Sequence, residues 1–184
     1  MAGLLAAVFG AGVLAWIVFA FNRLIRLRNQ VRAAWADIDV QLVRRHDLVP
    51  QLVAAVKGYA DHEQSLLATV TTLRAEAAAL KSPARLGEVE TALEQALGRL
   101  FALKEAYPDL RASENFSQLQ RDLVAVEEQL QYARRFYNGA VRDYNDAVQR
   151  VPDLLVAKSA GFVPAEFFQA GEGERNAVAV KVTS

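Results

Sequence analysis

The chain has 184 residues, 21 basic side chains against 21 acidic ones, and no cysteine. Zero formal charge leaves no electrostatic footprint for duplex nucleic acid, and the missing thiols exclude disulfides, thiolate metal sites and cysteine nucleophiles. An apolar share of 53% with only five prolines and ten glycines favours long helices over strands and turns. The first expected element is the uncharged run from Ala2 to Phe21, AGLLAAVFGAGVLAWIVFAF. At about 1.5 Å per residue its twenty residues make a helix roughly 30 Å long, the thickness of a bilayer's hydrocarbon.

A cleaved signal peptide is the rival reading of this run. It would need a positive segment ahead of the apolar one and small residues at a cleavage site, whereas only Met1, Ala2 and Gly3 come first and Phe19 and Phe21 flank the end. Residues 1–22 are therefore expected to be a retained transmembrane anchor, residues 23–168 a helical domain, and residues 169–184, which lack periodicity, a loose tail. The juxtamembrane Arg23, Arg26, Arg28 and Arg32 follow the anchor. By the positive-inside rule they place the domain in the cytoplasm and the N-terminus on the far side of a membrane crossed once. They also suit contacts with anionic headgroups of the lipid bilayer. Gly3, Ala7, Ala11 and Ala15 put small residues on one face, the spacing that lets membrane helices approach closely. Homo-oligomer formation through this face is one reading; the abundance of Ala and Gly in such segments is the other.

Neither Gly nor Pro lies between Val13 and Val49, so the membrane helix is expected to run on into the domain. A coiled-coil-like 3,4 spacing starts at Val31 and continues through Trp35, Ile38, Leu42, Arg45 and Val49 as far as Leu80, with only Arg45 and Glu63 polar. Pro50 interrupts it. A kink there, or a break in which Asp47 caps a new helix, both fit the residue pattern. Lys81-Ser82-Pro83 predicts a tight connection and a second helix with the seam Leu86, Val89, Leu93, Ala96, Leu100, Leu103 and Tyr107. Ser113 is expected to cap a third helix, with the seam Phe116, Leu119, Leu123, Val126, Leu130, Ala133, Tyr137 and onward to Val151-Pro152. Short connections make neighbours antiparallel, so the chain should climb, descend and climb again. Val40, Val43, Val53, Leu67, Leu97, Phe101, Phe136, Val141 and Val148 widen the seams enough for three or four segments to pack. The fold class expected is all-α: an elongated antiparallel up-and-down helical bundle of heptad-patterned helices behind one N-terminal transmembrane helix. A short helix is expected to fold back near Leu154, with Phe162, Phe167 and Phe168 docking on the bundle.

Two polar clusters stand out: Arg44-Arg45-His46-Asp47, and Arg134-Arg135 with Asn138, Arg142, Asp143 and Asn145. Arg45, Asp47, Glu63, Arg134, Asn138, Arg142 and Asn145 are the candidate buried polar or interaction residues. Arg45 falls on the seam and needs a partner such as Asp143 or Glu63 on a facing helix. His46 and His62 stand in no metal spacing, and there is no nucleophile elbow, phosphate loop or dinucleotide fingerprint. No catalytic, cofactor or metal residue is expected.

The runs LIRLRNQVRAAWADIDVQLVRRHDLVPQLVAAVKGYADHE, GRLFALKEAYPDLRASENFSQLQ, ARRFYNGAVRDYNDAV and GFVPAEFF, spread from Leu24 to Phe168, resemble the LemA family. The resemblance implies an all-helical up-and-down bundle on an N-terminal membrane anchor in bacteria, and it brings no catalytic residues with it. Where family members often carry Gly-Leu-Phe-Gly-Phe before the last motif, this chain has Lys158-Ser159-Ala160-Gly161-Phe162. The function expected is a noncatalytic membrane-anchored scaffold or assembly protein of the envelope that self-associates. The alternative is a regulatory partner of another membrane protein, a sensor or protease, engaged through the third helix; a third reading is an enzyme using His46 with bundle carboxylates.

Overall fold

The computed structural model describes residues 1–60 and 62–168, and every regular element among them is helical. Helix α1 spans Ala2–Lys57, α2 Gln64–Ala79, α3 Pro83–Ala102, α4 Pro108–Ala112, α5 Glu114–Gln149 and α6 Asp153–Ser159, with a single 3-10 turn at Leu103–Glu105. The expected tail, residues 169–184, lies outside the described residues. Helix α1 runs without interruption from the apolar run through Val49, as the lack of helix breakers there predicts.

Pro50 sits inside α1 and does not end it. A proline there removes the N–H that would reach the carbonyl four residues back, which is that of His46. Arg74 of α2 supplies the donor instead: its Nε–H donates to His46 O at 3.2 Å. The orphaned acceptor is thus satisfied by a side chain, and the helix continues. The break comes later, after Lys57, at Gly58-Tyr59-Ala60. Gly58 is a poor helix former, and the N–H groups of Tyr59 and Ala60 both donate to Val56 O at 2.9 Å. The turn also shifts the register, burying Ala60 while Tyr59 is left exposed. The expected helix from Val31 through Leu80 is therefore two helices.

Two compact units make up the chain, the first from Met1–Ile38 with Ala133–Glu166, the second from Asp39–Tyr132 with Phe167 and Phe168. In the second unit α2 folds back on α1, since Arg74 reaches His46 while Gln64 and Lys57 line one groove. Helices α3 and α5 are also antiparallel there: Phe101 meets Phe116 edge-on at 6.1 Å, and Glu94 and Glu127 border a common groove. The core holds Leu52, Val56, Val70, Leu93, Leu100 and Phe116. Each such side chain contributes roughly 1.5–3 kcal/mol by leaving water. In the first unit Trp35 packs edge-on against Tyr137 at 5.3 Å while Arg23 and Leu27 border one groove with Asp143, Asp146 and Ala147, so α1 and α5 run antiparallel. The third long helix therefore descends where a climb is expected, because the turn at Gly58 adds one more reversal.

The helix starts follow local chemistry. Pro83 and Pro108 occupy first-turn positions, where the missing donor costs nothing. Ser113 Oγ accepts the N–H of Phe116 at 3.3 Å, capping α5. The second long helix, whose seam is expected to reach Tyr107, ends at Ala102, and Tyr107-Pro108 opens the one-turn α4. Of the residues expected to widen the seams, Leu67, Leu97, Val141 and Val148 are buried, whereas Val40, Val43 and Phe136 are exposed. Gly161 closes α6 at φ +70°, the left-handed conformation that costs other residues about 1–2 kcal/mol. It lets the Phe162 N–H donate back to Ala157 O at 2.9 Å.

Candidate functional site

In the second unit α1, α3 and α5 bring charged side chains together inside the protein. Arg45 Nη1 donates to Glu90 Oε2 at 3.0 Å, and Arg45 Nη2 lies 3.2 Å from Glu127 Oε2. His46 Nε2 lies 2.7 Å from Glu90 Oε1 and donates to it. Glu90 is wholly buried and Arg45 almost so, whereas a quarter of the Glu127 side chain meets solvent. Both oxygens of Glu90 are thereby engaged, one by each neighbour on α1. Arg45 and Glu127 also floor a groove of about 280 Å³ bordered by Leu97, Gly98, Phe101 and Val124.

Arg45 is buried and paired as its seam position requires, but its partners are Glu90 and Glu127, not Asp143 or Glu63. Glu63 instead accepts a long hydrogen bond, 3.4 Å, from the Tyr107 hydroxyl. Burial raises the Tyr107 pKa, and the charge of Glu63 and this hydrogen bond add to it. Asp47 is exposed, and its carbonyl, not its carboxylate, is used, accepting from Gln51 Nε2 at 3.0 Å. Glu90 was not among the expected site residues. Its signal is a second apolar register on the same helix, Leu86, Glu90, Leu93, Leu97 and Leu100, in which a carboxylate takes a core position.

The first unit holds a different polar arrangement. Residues 162–166 are not helical, so their backbone carbonyls need outside donors. Helix α5 provides them. Tyr137 OH donates to Glu166 O at 2.8 Å and Tyr144 OH to Val163 O at 2.9 Å. Asn145 grips Ala165 at both ends, with Nδ2 donating to its carbonyl at 2.9 Å and Oδ1 accepting its N–H at 2.8 Å. Burial, then the nearby Glu166 charge, pushes the Tyr137 pKa up to about 12. Burial raises that of Tyr144 as well, against the opposing pull of Arg28 and Arg32.

Of the polar cluster read on the third helix, only Asn145 has this clamping role. Arg142 is exposed and lies 3.9 Å from Asp143, while Arg134 and Asn138 are half-buried. The juxtamembrane arginines separate in the same way. Arg23 pairs with Asp153 and Arg28 stacks over the Phe162 ring at 5.1 Å, whereas Arg26 and Arg32 are exposed. Phe162 also meets Phe21 edge-on at 5.8 Å. Phe162 and Phe168 are buried, but Phe167 is 42% exposed, unlike the expected docking of all three. Gly3, Ala7, Ala11 and Ala15 are exposed throughout. Among the described residues no group of three or more His, Cys, Asp or Glu side chains is placed to hold a metal ion.

These features define an all-helical protein with one helix long and apolar enough to cross a membrane, a buried charge cluster in one unit and a clamped non-helical segment in the other. The LemA family model matches residues 34–182, and the chain belongs to the LemA family. It is 24% identical over 185 residues to magnetosome protein MamQ 1 of Paramagnetospirillum magneticum, covering 85% of this chain and 67% of that relative. Magnetosome protein MamQ of Magnetospirillum gryphiswaldense is 22% identical, with 83% and 65% covered. Protein LemA of Metamycoplasma hominis is 25% identical over 158 residues, with 84% and 71% covered. The chain thus spans about two thirds of the length of the magnetosome relatives.

Proposed function

We propose that the chain is a noncatalytic scaffold of the bacterial envelope, fixed in the inner membrane by residues 1–22 and self-associating there. The observation that carries this reading is the surface of the first twenty residues. Leu4, Leu5, Phe9 and Phe19 are each about 70% exposed, and an apolar sleeve of that size exceeds what a water-soluble monomer tolerates. The end of the run is nevertheless part of the folded unit, because Ala20 is buried and Phe21 packs on Phe162. That packing favours a retained anchor over a cleaved leader. The four arginines on its C-terminal flank favour a cytoplasmic helical domain of residues 23–168. The pairwise antiparallel contacts and buried seams support long helices packed up and down as a bundle, and the small-residue face of Gly3, Ala7, Ala11 and Ala15 supplies the contact between copies.

The cysteine-free chain allows a direct test. Single substitutions Ala7→Cys and Phe9→Cys, the second on the opposite face of the helix, are introduced separately, and membranes are oxidised. The reading expects disulfide-linked dimers through position 7 and few through position 9, together with release of a chain lacking residues 2–22 from the membrane. Absence of dimers from both positions, or membrane retention of the shortened chain, would contradict it. Exposed Tyr132 and Phe136 on α5 favour a second reading, a regulatory partner of a membrane sensor or protease. Under it, the exposed Arg135, changed by Arg135→Glu, should remove a copurifying membrane protein; an unchanged set of partners counts against it.

A further inference from the structure

We propose that α6, with the chain on either side of it, is a second membrane contact that lies in the lipid interface beside the end of α1. The inference rests on the reading of Ala2–Phe21 as a membrane span. Three observations within the first unit carry it. Leu155, Val156, Ser159 and Ala160 border a groove of about 440 Å³ whose other wall is Trp16, Ile17 and Phe21 of the apolar run. Helix α6 therefore lies beside the membrane segment itself, held there by the Arg23–Asp153 ion pair at one end and the Phe21–Phe162 contact at the other.

The depth is the second observation. Phe21 ends the uncharged run, and Trp16 lies five residues earlier, which along a helix is about 7.5 Å deeper. Helices that lie in the plane of the interface bury their apolar face about 5–10 Å into the headgroup and acyl boundary. The level of the groove matches that range.

The third is the surface that α6 turns outward. Val151, Leu155 and Val163 are 70%, 61% and 71% exposed, while Val156 and Ala157 of α6 face inward and are buried. Water would cover these outward residues at a cost, but a lipid interface would not. Exposed Arg26, Arg150 and Lys158 stand in the same stretches and complement anionic headgroups, each contact of this kind adding modest attraction. Apolar side chains at the level of the acyl boundary, flanked by cations, fit a bilayer surface as the occupant.

Single-cysteine variants of the full chain test this. Leu155→Cys, Leu14→Cys and Val124→Cys are each labelled with an environment-sensitive fluorophore in vesicles of phosphatidylethanolamine and phosphatidylglycerol. Quenching by a lipid spin-labelled near the headgroup and by aqueous iodide is then compared. All three side chains are more than half exposed or nearly so, so the labels leave the fold undisturbed. The expected result is lipid quenching of the label at position 155 several-fold stronger than at position 124, with a blue-shifted emission and weak iodide quenching. If position 14 is lipid-quenched while position 155 behaves like position 124, the inference fails and the anchor stands. If position 155 is shielded from both quenchers, protein covers α6 and the inference fails. If position 14 is itself open to iodide, the membrane span falls, and the interfacial contact with it.

Discussion

Replacing Glu90 by alanine should be among the most damaging single changes in the chain. Glu90 accepts Arg45 at 3.0 Å and His46 at 2.7 Å with its own side chain fully buried. Its removal leaves Arg45, 3% exposed, with only the partly solvated Glu127 as counter-charge. Breaking a buried pair by deleting one partner costs about 3–5 kcal/mol, mainly because the remaining charge stays buried. At roughly 2–4 °C per kcal/mol for a chain of this size, the melting temperature should fall by roughly 6–20 °C. Glu90→Gln keeps the shape and one acceptor, so its loss should be smaller. The double variant Arg45→Met, Glu90→Leu removes both charges and should recover most of the stability, because well-packed apolar replacements of buried pairs are often neutral or stabilising. Thermal and guanidinium unfolding of the detergent-solubilised full chain, followed by helical circular dichroism, measures all three. A Glu90→Ala loss below about 1 kcal/mol, the level of an exposed pair, would refute the assignment of a buried, structurally coupled cluster.

Arg74→Ala strips the His46 carbonyl of its donor and should cost about 1–3 kcal/mol, the range for an acceptor left unsatisfied; Pro50→Ala restores the backbone donor, so the double variant should lose less than Arg74→Ala alone in the same unfolding assay. Asn145→Ala removes two neutral hydrogen bonds to Ala165, worth about 0.5–1.5 kcal/mol each, and should be read as faster hydrogen exchange at the Ala165 amide. Alkaline pH should release the same segment. The Tyr137 pKa lies at about 12 in the folded chain against an ordinary 10, so its neutral form is the one the fold holds, and its contribution is complete below pH 10 and lost as pH rises toward 12. Exchange and proteolysis of residues 162–168 as a function of pH should show this, and Tyr137→Phe should reduce that alkaline step to the share of Tyr144, which also donates to the segment and has a raised pKa, while keeping the ring packing on Trp35.

Much of the architecture was legible because the apolar periodicity is strong and the punctuation local. Ser82-Pro83 and Ser113 open helices where capping chemistry places them, and the uncharged run stands out by length alone. Gly58 does not stand out as a break in the sequence, because the 3,4 spacing continues across it through Tyr59 and Glu63. Pro50 drew attention as the stronger breaker, yet its consequence depends on Arg74, a donor that local sequence cannot assign. The charge cluster was half legible. Arg45 betrayed itself by sitting on the seam, but Glu90 sits one position beyond Val89, where the favoured register points away from the core. Only the second register through Leu93, Leu97 and Leu100 places it inside. On α5, Tyr137 and Tyr144 fall on the apolar seam by their rings. Their hydroxyls, which need partners when buried, were the sign that a polar backbone segment lies against that face.

The central claim is that this chain is an assembling membrane scaffold. Copy number per particle, measured by mass for the intact chain extracted directly from membranes into native lipid discs, tests it most directly. More than one copy per disc, persisting on dilution, is the predicted result. A single copy at every concentration, with no other protein present, would contradict the account.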